Sequence, residues 1–174
     1  MYLEKLLDVA NDVQADSLTF HNLIFVSREL LEQQKVYDNR LGCTSGAWEG
    51  FLFEPGIEPQ ALYEKMKNIL SGKYRFRVDF YPNFSYPALE EYYKDPHYKL
   101  SEYSSRCVSP WMVAYIFPDG EVRPCLNSDY SFGNIKKDKF SKVWNSGQAL
   151  RFRRLLKENQ IFPLCVRCTE LYRY

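Results

Sequence analysis

Four of the five cysteines in this 174-residue sequence lie beyond residue 100: Cys107, Cys125, Cys165 and Cys168. The last two form Cys165-Val-Arg-Cys168, and a Cys-x2-Cys spacing lets two thiolates converge on one metal centre. Four thiolates satisfy a tetrahedral zinc ion or the four corner irons of a [4Fe–4S] cluster equally well, so spacing alone leaves both open. Two disulfides are the ordinary alternative for four cysteines. The N-terminus argues against them, because MYLEKLLDVANDVQ carries Glu4, Asp8 and Asp12 and no apolar signal core. The expectation is a soluble, cytoplasmic chain whose thiols stay reduced. Cys43, alone in Leu41-Gly-Cys-Thr-Ser-Gly46, is expected to be a small core or loop residue outside the metal site.

Other reactive side chains form no comparable constellation. His21 and His97 are far apart in sequence and read as structural histidines. Glu90, Glu91 and Asp95 read as a solvated helix face, not a pair of catalytic carboxylates. The stretch Arg151-Phe-Arg-Arg-Leu-Leu-Lys157 reads as an amphipathic helix with snorkelling arginines. Arg106, Arg123 and Arg167 adjoin or neighbour cysteines and could offset thiolate charge, although solvated surface arginine is the commoner role. No P-loop, dinucleotide fingerprint or Ser–His–Asp set is present. With 23 basic residues against 22 acidic ones, the net charge of +1 provides no field for nucleic acid. No apolar run reaches the roughly 20 residues of a membrane-spanning helix, so no membrane partner is expected. Twenty-six Phe and Tyr with three Trp exclude a disordered chain.

The elements that must position the cysteines follow from periodicity. Leu3, Leu6, Leu7 and Ala10 have helical spacing, and residues 17–26 read as a strand with a break near Asn22. Ser27 should cap a helix over 28–37, and residues 39–56, with four glycines, should form a loop crossing the surface or covering a cavity. Pro59 suits the first position of a helix continuing through 61–70. Residues 74–81 alternate as a strand, with a short helix at 88–93 after it. This order suits a small parallel sheet of about two strands covered by helices. Beyond Cys107, residues 111–117 and 121–125 flank Pro118-Asp-Gly120 and predict a β-hairpin, followed by a helical region with Phe140, Val143 and Trp144 and, after Asn145-Ser-Gly147, Leu150 to Leu156. The fold class is therefore α+β.

The text from Cys107 onward resembles a known family. Cys107-x12-Gly120-x4-Cys125, Gly133-Asn134-Ile135, Val143-Trp144-Asn145-Ser146, Phe152-Arg153 and Pro163-Leu-Cys165-Val-Arg-Cys168 resemble the SPASM domain, the auxiliary iron–sulfur module of many radical S-adenosylmethionine (SAM) enzymes. The resemblance implies residues 100–174 as that domain, and residues 1–99 as the C-terminal remnant of a partial (β/α) barrel. It implies one [4Fe–4S] cluster on Cys107, Cys125, Cys165 and Cys168, as in the shortened single-cluster twitch form. A second cluster would need further cysteines after Cys168, and none is present. The Cys-x3-Cys-x2-Cys motif that binds the catalytic cluster is also absent, so this chain alone is not expected to bind or cleave SAM. Its partner would be a missing N-terminal radical SAM region or a separate chain carrying one. The implied activity is that of an oxidoreductase or a peptide- or small-molecule-modifying enzyme. Asn22 and Asn83, at barrel strand ends, would then face substrate. The competing readings are a non-catalytic, zinc-stabilised binding module and an interaction fragment docking on a radical SAM chain.

Overall fold

A computed structural model describes residues 2–99, 103 and 106–173. In chain order the elements are α1 (Glu4–Asp12), β1 (Ser17–His21), α2 (Arg28–Leu41), a 3-10 segment (Gly46–Phe51), α3 (Pro59–Ser71), β2 (Arg77–Tyr81) and α4 (Tyr86–Lys94). There follow α5 (Ser109–Met112), β3 (Tyr115–Ile116), β4 (Glu121–Arg123), β5 (Gly133–Asn134), α6 (Phe140–Trp144) and α7 (Gly147–Asn159). Two 3-10 turns, Pro163–Arg167 and Thr169–Tyr172, end the described chain. Helices with a parallel pair and a separate antiparallel sheet make the fold α+β. No helix among the described residues is long and apolar enough to cross a membrane.

The chain divides into two compact units, Met1–Leu23 with Glu54–Tyr98, and Ile24–Phe53 with Lys99–Tyr174. Residues 24–53, expected to lie within the first region, thus pack with the C-terminal part. The expected 99/100 boundary abuts residues 100–102, which lie outside the described residues.

In the first unit, β1 and β2 pair in parallel from Ser17↔Arg77 to His21↔Tyr81. The paired Phe20 and Phe80 rings stack at 4.8 Å, and both side chains are buried. Ser17, Thr19 and His21 alternate with them and are exposed, as the two-residue strand period requires. Pro59 opens α3, where its missing N–H removes no helical hydrogen bond, and Leu62, Met66 and Ile69 form its buried stripe. Ser85 Oγ caps α4 by accepting from the Ala88 N–H, and that helix buries Ala88, Leu89, Tyr92 and Tyr93. Helix α1 departs from expectation. Only Ala10 is fully buried there, and Leu6 lies on an exposed face.

In the second unit, Ser27 Oγ accepts from the Leu30 N–H at 3.2 Å and starts α2. Gly42, at φ +73°, ends it. Val26, Leu30 and Trp48 pack against Leu164 and Val166 of the C-terminal knuckle. That contact explains why residues 24–53 belong to this unit. The predicted hairpin is present, with Tyr115↔Arg123 and Ile116↔Val122, but its strands are shorter and a third strand, β5, extends it beside β4. Residues 111–112, expected in the first strand, lie in the helical turn α5, whose early Pro110 suits a helix start. The helical region over 140–156 divides at Asn145, and Ser146 Oγ starts the second helix by accepting from the Ala149 N–H at 3.1 Å.

Arg153 was expected to snorkel from an amphipathic helix, and the structure buries it instead. Its Nε donates to the Pro110 carbonyl at 2.9 Å and its Nη1 to the Trp144 carbonyl at 2.7 Å. The guanidinium lies over the Trp144 ring, 4.3 Å from its centroid. Burial lowers its pKa, although these contacts stabilise the charge in place. Arg151 reaches back to the Arg40 carbonyl.

Candidate metal centre

Each cysteine of the quartet sits at an element boundary. Cys107 precedes α5 and donates its backbone N–H to the Gln160 carbonyl at 3.3 Å. Cys125 lies two residues past β4, where Pro124 has already ended the ladder. Cys165 lies inside the 3-10 turn opened by Pro163, and its N–H donates to the Phe162 carbonyl at 2.9 Å. Cys168 closes that turn with an N–H to the Cys165 carbonyl at 3.0 Å. The hairpin was expected to bring Cys107 beside its first strand, and α5 intervenes between the two.

All four cysteines line one cavity of about 280 Å³ in the second unit. Its other walls include Trp48, Phe51 and Phe152, with Gln34 and Asp38 from α2. The 39–56 segment therefore contributes to a cavity wall, as its loop character suggested. Cys107 is buried and the other three are half-buried, and all five cysteines of the chain are free thiols.

The electrostatics tie the quartet together. Burial pushes the Cys125 thiol well up, and the neighbouring charges of Cys165, Cys168 and Cys107 push it further. Cys165 is raised well above its ordinary value by burial and then by Cys107 and Cys168. Cys168 is pushed up to about 11, mainly by burial, with Cys107 adding to it. Burial also raises Cys107. Such thiols resist ionising together unless a cationic centre compensates them, which is the condition a thiolate-bound metal centre meets. No three His, Cys, Asp or Glu side chains among the described residues are grouped closely enough to hold a single metal ion. An all-thiolate donor set around a largely apolar cavity fits an iron–sulfur cluster.

The structure separates the remaining cysteine from these four. Cys43 lines a second cavity, of about 290 Å³, with Thr44 and Glu49. Its Sγ accepts from Ser128 Oγ at 3.9 Å, and burial raises its pKa to about 11.

The flanking arginines have other engagements. Arg123 pairs with Glu121 through its Nε and lies over the Phe117 ring, 4.2 Å from the centroid. Arg167 is fully buried, with its guanidinium 4.3 Å from the Phe25 centroid. Arg106 is exposed. Burial of Arg167 was not legible from its place in a Cys-x2-Cys knuckle, where a solvated side chain is the ordinary expectation.

Asn22 and Asn83 belong to the first unit. Asn22 is buried just beyond β1, its Nδ2 donates to the Pro82 carbonyl at 2.8 Å, and its Oδ1 accepts from the Tyr93 hydroxyl at 3.4 Å. Asn83 is exposed beyond β2. His21 packs edge-on against Tyr81 at 5.5 Å, and His97 donates its N–H to Asp95. Glu90 pairs with Lys94 on an exposed helix face.

Sequence reasoning missed two cavity residues, Tyr115 and Glu170. Glu170 stands two residues after Cys168, and that proximity was the available signal. Comparison with curated proteins and with solved structures gives no match. Residues 107–169, which contain all four cysteines of the cavity, match the family model of the SPASM iron–sulfur cluster-binding domain.

Proposed function

We propose that Cys107, Cys125, Cys165 and Cys168 hold one [4Fe–4S] cluster, and that the chain serves as the auxiliary-cluster region of a radical SAM enzyme. The observation that carries this reading is that four thiols, from two loops and a terminal knuckle, line one cavity and all fall within the residues that match the SPASM model. Bound there, such a cluster supplies one-electron chemistry. With one thiol for each corner iron, electron transfer or structural support suits the site better than direct ligation of substrate. Zinc is the less favoured occupant, because zinc sites generally use paired knuckles and only Cys165 and Cys168 are close in sequence. Free thiols throughout the chain suit a reducing compartment such as the cytosol.

SAM cleavage requires the Cys-x3-Cys-x2-Cys motif, which the sequence does not contain, so that step falls to another region or a separate chain. The two-stranded parallel sheet supports this part of the reading. A parallel pair is ordinarily one piece of a larger sheet, and β1–β2 have the helix-rich surroundings of a (β/α) barrel segment. Of its two strand-end residues, the exposed Asn83 would face a peptide or small-molecule substrate of an oxidoreductase or modifying enzyme, whereas Asn22 is buried with both amide ends hydrogen-bonded.

Anaerobic reconstitution with iron and sulfide tests the assignment. The expected product holds about four irons and four sulfides per chain, with broad absorbance near ~400 nm. Cys125→Ala should abolish it. Uptake of zinc without sulfide would overturn the assignment.

A further inference from the structure

The cavity that gathers the thiols also contains a carboxylate. Glu170 lies in the turn Thr169–Tyr172 immediately after Cys168 and lines the cavity together with all four cysteines. Its side chain is only 13% exposed. Glu170 Oε2 accepts from Ser109 Oγ at 3.2 Å, which ties it to the segment following Cys107. Glu170 Oε1 lies 2.8 Å from Arg173 Nη2, and that arginine is 49% exposed. Tyr115, on β3, lines the same cavity, and burial and then the charge of Glu170 raise its hydroxyl pKa. The charge of Glu170 reaches Cys107, Cys125 and Cys168 through space. Asp38, the other cavity carboxylate, is committed differently, since its Oδ1 accepts from both Gln34 Nε2 and Ser45 Oγ at 2.9 Å.

We infer that Glu170 is a positioning residue that sets the reduction potential of the centre held by the four cysteines, with Arg173 as its partial counterweight. The inference rests on the cluster assignment above. Reduction adds an electron to a centre already carrying four thiolates, so a fixed negative charge in the same cavity disfavours it. Arg173, paired with that carboxylate, opposes that effect. Ser109 holds the carboxylate in place, as outer hydrogen-bond partners do around metal centres.

The two charges have opposite signs, which yields a test that mere disturbance of the fold cannot imitate. The full chain is reconstituted anaerobically and titrated with dithionite in the presence of mediators, with the reduced centre followed by electron paramagnetic resonance. E170Q preserves shape and removes the negative charge, so its midpoint should move up. At the wild-type midpoint, its ratio of reduced to oxidised centre should rise about tenfold. R173Q should move the midpoint down. An unchanged midpoint in E170Q, or shifts of the same sign in both variants, would overturn the inference. Should E170Q fail to take up iron and sulfide, R173Q decides: a downward shift supports the inference, and no shift or an upward one rejects it. Failure of the unmutated chain to assemble a cluster would instead remove the assignment on which the inference rests.

Discussion

The five thiols of the chain differ in their surroundings more than in their chemistry. Four line a shared cavity, where burial and neighbouring cysteine charges raise Cys125, Cys165 and Cys168, so these resist ionisation until a cation joins them. Cys43 stands apart and is raised from 9.0 to about 11, with burial as the leading cause and a Ser128 hydrogen bond opposing it. Since its folded pKa exceeds its ordinary value, its contribution to stability is complete below about pH 9 and is lost as pH rises through about 11. The same shift predicts chemical inertness. In the folded, cluster-loaded chain at pH 8, iodoacetamide should modify Cys43 roughly a hundredfold more slowly than in the denatured chain. Peptide mapping by mass spectrometry reads the rates, and equal rates would refute the shift. The distinction between this cysteine and the quartet was legible from spacing. The burial of Arg153 and the cavity position of Glu170 were not, because side-chain direction depends on contacts made by distant segments. Arg153 finds its acceptors at Pro110 and Trp144, 43 and 9 residues away.

At the scale of elements, the three-stranded sheet between Cys107 and the terminal knuckle carries Cys125 to the cavity. Its register depends on Gly120, at φ +89°. The Gly120 N–H donates to the Phe117 carbonyl at 2.8 Å and Asp119 Oδ1 accepts from the Glu121 N–H at 2.9 Å, closing the turn. A Cβ at Gly120 would stand 2.7 Å from Asn134 Oδ1 and 2.8 Å from Lys136 Cγ. Gly120→Ala should therefore destabilise the chain by about 1–2 kcal/mol, from the left-handed backbone alone, and the crowding adds to it. The urea midpoint of the cluster-free chain measures this, and an unchanged midpoint would contradict it. The Asp-Gly dipeptide made the hairpin legible, as Pro59 did the start of α3 and Ser27 the start of α2. Strand β5 was not legible. It is two residues long, one of them Gly133 at φ +136°, and nothing in such a segment separates strand from loop until β4 pairs with it. The extra strand also explains the Gly133 position, since a Cβ there would meet Val143 Cγ1 at 3.3 Å.

The molecule as a whole is organised by a discontinuous second unit, which the linear order of strands and helices concealed. Residues 24–53 follow β1 directly and read naturally as part of one barrel-like succession, yet α2 spends its apolar face on the C-terminal knuckle. Leu30 meets Leu164 and Val166 in that core, and the Leu164 N–H lies 3.5 Å from Gln34 Oε1. Thr44 is joined to Asp129 by two hydrogen bonds, from its backbone N–H at 2.5 Å and its hydroxyl at 2.9 Å, while the Asp129 N–H donates back to the Thr44 carbonyl at 3.1 Å. Residues near the start and near the end of the sequence thereby form one core around the thiol cavity. Metal binding by a site assembled from separated segments is linked to the folding of those segments. Removal of iron by a chelator should therefore accelerate amide hydrogen exchange in α2 and over residues 43–52, as well as in 107–169. The first unit has its own core, with Phe20, Phe80, Met66 and Leu89 buried within it. Exchange in β1 and β2 should be unchanged by the same treatment. Loosening confined to the matched domain, with α2 as protected as before, would show that the residues 24–53 are held by their apolar contacts alone and owe nothing to the metal centre.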